Sequence, residues 1–443
     1  MRTESRFTFL LMLALPVGAA AQVLTPAEAL ARAEQRGFAN RIAAGQAGAQ
    51  AGQAMLPLRG ILPSVRVEAS YLKTTDPLNA FGFLLRQRAI TPAAFNPTLL
   101  NDPNSIGNVS TGLVVEQPLF NADAWLGRRA AGDAAGAMEA SARWTRSGTS
   151  VLVLRAYWGA VLAAEQVSML EVAATAGRAH VREAELVVQQ GLATRSDALL
   201  ARVKAGEIEA RLVAARGEAR IARRGLAVLM GDPADTSWTL PDTLPSSAAV
   251  TARAEASLTE DAAPAERADV QAASLGARAA RADRRRAQSL YLPRLNGFGR
   301  VDWNDPNQPF AGKSAWTVGV MLSWSPFAGA SELAELKATG GRLQAAEAMA
   351  DAAEGQAALE LAQATERLTV AREQLAIQDV ALAQAREAHR LVTKKYAGGL
   401  SSITELFDAT AAETGAALAH AAARYDLLVA VAERQKAMGK HVD

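Results

Sequence analysis

Glu405 and Asp408, two carboxylates three positions apart, are the most chemically suggestive pair in this chain. On a helix that spacing puts both side chains on one face, where they can attract or select cations. Taken alone, such a pair is ordinarily a solvated face. Nothing extends it into a catalytic constellation: no Ser-His-Asp arrangement or ligand-spaced signature is present. The four histidines, His180, His389, His420 and His441, are too scattered to suggest a metal cluster. His389 lies on a helical seam and is expected to be a packed or interface histidine. With no cysteine there is no disulfide framework, zinc ribbon, thiolate nucleophile or lipidated N-terminal cysteine. Arg284, Arg285 and Arg286 lie beside Arg278, Arg281 and Asp283 and read as a solvated face. Lys+Arg 47 against Asp+Glu 45 leaves no basic field for nucleic acid. The expectation is a protein that is not an enzyme and has no cofactor or metal.

The elements that position the acidic pair are helices. Of the 443 residues, 50% are hydrophobic but only 5% aromatic. Alanine makes up much of the difference and points to long, closely packed helices. At the N-terminus, Arg2 and Arg6 precede the apolar run Phe7 to Val17, which closes on Ala19-Ala20-Ala21. That is the layout of a secretory signal peptide, and the run is too short to span a bilayer. No later segment is apolar enough to span as a helix.

The chain repeats itself. Gln117-Pro118-Leu119-Phe120 matches Trp324-Ser325-Pro326-Phe327, an offset of 208 from Pro118 to Pro326. The same offset carries Gly191-Leu192 onto Gly399-Leu400 and Met230-Gly231 onto Met438-Gly439. Upstream, Leu62-Pro63 matches Leu292-Pro293 at a larger offset, so the first copy holds about 22 extra residues between Lys73 and Asn108. Leu361, Leu368, Leu375, Leu382, His389 and Tyr396 recur every seven residues, a coiled-coil seam. Val153, Ala160, Val167, Ala174, Val181 and Val188 keep that register in the first copy. From Asn121 to Gly191 one helix would run roughly 105 Å, and shorter helices return from each glycine tip. Gly191 and Gly399 suit the positive φ of a helix C′ position. Ser196-Asp197 and Ser401-Ser402 offer oxygens to cap the returning helices.

Four stretches alternate with period two. Trp316, Val318, Val320, Leu322 and Trp324 share one face, as do Val65, Val67, Ala69 and Tyr71. Val109 to Val115 continues the pattern, and Leu295 to Trp303 is a glycine-rich version. Aromatics at both ends, with Tyr71 and Trp303 beside Trp316 and Trp324, fit the interface girdles of membrane barrel strands. Four strands cannot close a barrel, and an open edge is not tolerated in lipid. If these strands span, several protomers share one barrel.

Together these features resemble the TolC-like outer-membrane efflux proteins, the exit ducts of tripartite pumps and type I secretion systems. The tips Val188-Gln189-Gln190-Gly191-Leu192-Ala193-Thr194 and Tyr396-Ala397-Gly398-Gly399-Leu400-Ser401-Ser402 carry the likeness most specifically. The resemblance implies a mainly α fold with a membrane β-barrel portion. Each protomer would be a tandem repeat of long coiled-coil hairpins plus four strands, trimerising into a 12-stranded barrel and a periplasmic α-helical tunnel. It implies an outer-membrane location, outer-membrane lipid around the barrel, and passive conduction without chemistry. A periplasmic adaptor and an inner-membrane transporter are the implied partners, the adaptor docking at Gly191, Leu192, Gly398, Gly399 and Leu400. Glu405 and Asp408 match the acidic pair that lines the entrance. Asp197 and Tyr396 match latch positions, with Ser401 where an arginine is expected. Many relatives carry a lipidated cysteine, which this chain lacks.

The organisation implied is a signal peptide at 1–21, a first repeat at 22–231 and a linker at 232–263, followed by a second repeat at 264–439 and a short tail at 440–443. Strands are expected at about 63–74, 108–119, 293–304 and 314–325, with tips near 191 and 399. The linker reads as surface decoration. A periplasmic coiled-coil adaptor or scaffold without its own pore is the alternative, although an adaptor would show one hairpin rather than two in register.

Overall fold

Gly191 and Gly399 each end a long helix and reverse the chain. In the computed structural model, which describes residues 23–191, 193–234, 237–260 and 266–442, helix α5 (Ala122–Gln189) precedes the first tip and α9 (Ser331–Ala397) the second. The helices that return, α6 (Arg195–Leu229) and α10 (Ile403–Ala437), have 35 residues each and start 208 positions apart. The other elements are α1 (Pro26–Arg36), α2 (Phe38–Gln53), β1 (Ser64–Thr74), α3 (Pro77–Arg86), α4 (Pro97–Asn101) and β2 (Ile106–Phe120). After α6 come α7 (Ser247–Thr259), α8 (Ala268–Ser289), β3 (Arg294–Asp305) and β4 (Lys313–Ser323). The proposed signal peptide lies outside the described residues. The chain divides into two units. One comprises Met1–Ala43, Ala142–Arg267 and Gln356–Asp443, the other Ala44–Ser141 and Ala268–Gly355.

The first unit is helical, and the heptad positions build it. Leu368, Ala371 and Leu375 of α9 are buried with Val153, Tyr157 and Val161 of α5 and Leu427 of α10. The 232–263 stretch, expected as surface decoration, inserts Trp238, Leu244 and Val250 into this same core. A buried ion pair holds it there: Arg424 donates to Glu165, and its other nitrogen donates to the Leu244 carbonyl at 3.2 Å. Glu165 also accepts the Leu244 N–H at 2.9 Å. Tyr157 donates its hydroxyl to the Leu24 carbonyl at 2.7 Å, and burial, helped by Glu28, pushes its pKa up to about 12.

The second unit contains a four-stranded antiparallel sheet in the order β1-β2-β3-β4. β1 and β4 are its edges, and neither edge is paired among the described residues. Arg286 fastens the adjoining helices by bonding Asp283 at 2.6 Å and Glu335 at 2.9 Å.

Candidate functional site

Strand register sorts the sheet into two chemically different faces. Val67 pairs with Leu113, Leu113 with Val301 and Val301 with Trp316, so these four stand on one face. Val65, Tyr71, Val318, Val320 and Leu322 extend that face and are all exposed. Aromatics collect near its two ends. Tyr71, Trp303, Phe310 and Trp316 lie toward the 74/106 and 305/313 turns, and Trp303 meets Phe310 edge-on at 5.9 Å. Trp324 lies toward the helices and donates its indole N–H to the Tyr291 carbonyl at 3.1 Å. An apolar band between aromatic levels is what a bilayer requires of a strand surface.

The opposite face is polar and charged. Arg300 bonds Asp302 at 2.6 Å and approaches Glu68 at 3.4 Å, while Arg66 approaches the other oxygen of Glu68 at 3.4 Å. Further along, Asn108 donates to Asn304 at 2.9 Å. No helix among the described residues is long and apolar enough to cross a membrane.

The hairpin tips are built by local rules. Gly191 and Gly399 have φ of +74° and +71°. The Leu400 N–H reaches back to the Lys395 carbonyl at 2.8 Å and satisfies one of the last carbonyls of α9. Leu400 is exposed, and Leu192 lies outside the described residues. Thr194 is the N-cap of the first returning helix, and Asp197, one of the expected cap residues, completes the cap. The carboxylate of Asp197 accepts the Thr194 N–H at 2.9 Å and its hydroxyl at 2.8 Å, closing a capping box. These bonds hold the Asp197 carboxyl below its ordinary range. Ser402 caps the second, accepting the Glu405 N–H at 3.2 Å.

Ile403, Leu406 and Phe407 of α10 pack with Ala184 of α5 and with Ala201 and Ala205 of α6, and half-buried Tyr396 borders them. That packing turns Glu405 and Asp408 outward, both exposed. Ser401 donates its hydroxyl to Glu405. Burial, followed by the charges of Glu183 and Asp197, raises the Tyr396 pKa. Because Asp197 is engaged by Thr194, Tyr396 feels it through charge.

Two features here had no sequence signal. Lys204 of α6 stands 3.9 Å from Asp408. His180 meets the Phe407 ring edge-on at 5.8 Å, and burial lowers its pKa. His389 sits in the seam, bonded to Glu413 and, at 3.2 Å, to the hydroxyl of Thr410. No cluster of metal-binding side chains occurs among the described residues.

A family model described as "Outer membrane efflux protein" matches residues 28–232 and 261–440. The chain belongs to that family. The outer membrane efflux proteins are transport conduits, and this member is an outer-membrane efflux duct extending into the periplasm. Nothing supports the adaptor alternative. No curated protein matches the chain. Its fold is that of solved outer-membrane channels. The outer membrane protein VceC of Vibrio cholerae is 18% identical with a TM-score of 0.75, over 94% of this chain and 97% of that one. The CmeC channel of Campylobacter jejuni is 14% identical with a TM-score of 0.79, over 94% and 86%. The MtrE channel of Neisseria gonorrhoeae, in its open state, is 18% identical with a TM-score of 0.73, over 94% and 89%.

Proposed function

We propose that three copies of this efflux protein close one 12-stranded barrel, and that solutes leave through it passively, without chemistry or a cofactor. One observation carries this reading: β1 and β4 are bare edges of a sheet with an apolar face. Unpaired backbone groups are prohibitively costly in lipid, so the edges must find partners. With four antiparallel strands, β4 of one copy meets β1 of the next in the antiparallel sense, and the closed barrel has no edge.

A periplasmic adaptor then docks at the tips, on Gly191, Leu192, Gly398, Gly399 and Leu400, and an inner-membrane transporter supplies the energy. Threefold symmetry gathers Glu405 and Asp408 of the three copies into one acidic collar that favours cations. The latch is weak, because Ser401 replaces the expected arginine and Asp197 is committed to its helix cap.

Membrane fractionation followed by unheated electrophoresis tests the reading. A detergent-resistant trimer in the outer membrane is expected; a monomer wholly in the soluble periplasm would overturn it.

A further inference from the structure

The segment joining β1 to β2 is far longer than the one joining β3 to β4, and it is folded. Asp76 caps α3 by accepting the Asn79 N–H at 2.9 Å. Phe81 meets Phe95 edge-on at 5.9 Å, so the segment has its own small apolar cluster. Its anchor is a chain of amides. Gln87 donates to the Gly107 carbonyl and to Asn108, each at 2.9 Å, and Asn108 donates in turn to Asn304. Arg88, at a φ of +55°, reaches across to the Ser314 carbonyl at 3.1 Å. Asn108 is only 1% exposed, and burying such an amide is tolerable only because it is bonded on both sides.

The face of attachment decides what this segment does. Asn108 and Asn304 stand on the charged face of the sheet, with Arg300 and Asp302, not on the apolar face. In a closed barrel the charged face lines the lumen, so the segment hangs on the inside of the outer mouth. It nevertheless presents bare apolar side chains: Leu78 is 81% exposed, Phe95 60%, and Leu85 is also exposed. Lipid cannot reach them from the lumen side, and a cluster of this kind signals a partner surface. Around a threefold axis the nearest such surface is the same segment on the neighbouring copies.

We infer that residues 75–105 of the three protomers pack against one another through Leu78, Leu85 and Phe95 and form a lid inside the extracellular mouth of the duct. This rests on the trimeric barrel proposed above. The lid narrows the outer end whatever the state of the periplasmic entrance.

The test uses the purified full-length protein in planar bilayers. Leu78→Glu/Leu85→Glu places like charges at the shared contact, and both positions are exposed, so the protomer's own packing is spared. The expected result is an intact trimer on unheated gels with single-channel conductance raised at least twofold. In a second arm, Leu78→Cys supplies the sole thiol of a chain that has none. A short bis-maleimide should then join protomers into heat-stable dimers. A charged variant that trimerises with unchanged conductance, or a cysteine variant that is not cross-linked, overturns the lid. If the natural protein itself neither trimerises nor conducts, the barrel reading fails instead.

Discussion

Lys204 of α6 holds its ammonium nitrogen 3.9 Å from the carboxylate of Asp408 on α10, so the first hairpin supplies a cation to the acidic pair of the second. Asp408 is exposed and Lys204 half-buried, and at 3.9 Å such a pair adds little to stability. Its effect is on the local field. Glu405→Gln/Asp408→Asn should abolish cation preference and block by multivalent cations, while Lys204→Ala should strengthen both. Reversal potentials across a salt gradient measure the outcome, and selectivity unchanged by the double variant would dismiss the acidic collar.

At the tips, a Cβ built on Gly191 or Gly399 would meet nothing within 4 Å. The cost of a side chain there is therefore conformational, roughly 1–2 kcal/mol for a residue held at positive φ. Gly191→Val and Gly399→Val should leave the trimer band intact and abolish dye export by a strain carrying the complete pump. Normal export by both variants would show that the tips are not the docking surface.

Adjacent residues of β4 belong to opposite faces, which permits an internal comparison. Val318 faces outward on the apolar side, whereas Thr317 pairs with Arg300 on the charged side. Val318→Lys should destabilise the assembled barrel by about 2–4 kcal/mol, as a lysine near the bilayer midplane does. Thr317→Lys should be tolerated. Temperature-dependent loss of the trimer band distinguishes them; equal sensitivity would argue that the two faces see the same medium.

Burial lowers the pKa of His180 from its ordinary 6.5. The folded tip therefore binds a proton less readily than the unfolded chain. The stability contributed by the neutral ring is complete above 6.5 and is lost as pH falls through the depressed folded value. His180→Phe, which keeps a ring beside Phe407, should flatten the acid side of a thermal-melting series run from pH 7.5 to 5. A series as steep as that of the natural protein would assign the acid sensitivity elsewhere.

The ion pair of Glu165 and Arg424 is buried on both sides. Removing the carboxylate strands the guanidinium and the Leu244 N–H of the linker, so Glu165→Ala should cost roughly 3–5 kcal/mol. Denaturant titration checks this, with protease sensitivity at 232–260 as the local sign. A loss below about 1 kcal/mol would mean that water replaces the carboxylate.

Much of this architecture is legible in the sequence because local rules dictate it. Gly191 and Gly399 can be read directly because positive φ favours glycine. Period-two alternation assigns Val67, Trp316 and Val318 to apolar strand faces, and the register puts those faces on one side of the sheet. Features that depend on tertiary approach were not legible. Lys204 meets Asp408 only because α6 packs beside α10, and no spacing encodes that. The 232–263 stretch looked superficial because polar and proline residues diluted its three apolar anchors. The break between α1 and α2 at Gly37 is of the same kind. A Cβ there would lie 2.3 Å from the Ala33 carbonyl oxygen, a closeness visible only in three dimensions. Thr194 is the N-cap of α6, and Asp197 completes the capping box from three positions on.

The two bare edges of the sheet also govern how the protein comes into being. A lone protomer carries an apolar face unsuited to water and unpaired strands unsuited to lipid. No solvent on its route welcomes that species, so strand pairing between newly made chains and entry into the bilayer must be coupled events. Biogenesis then depends on the local supply of chains. At low expression unfinished protomers wait in the periplasm, exposed to proteases and to mispairing. In the proposed trimer, separating any one copy would break two such pairings and expose four strand edges to hydrocarbon, so the closed duct would be effectively permanent.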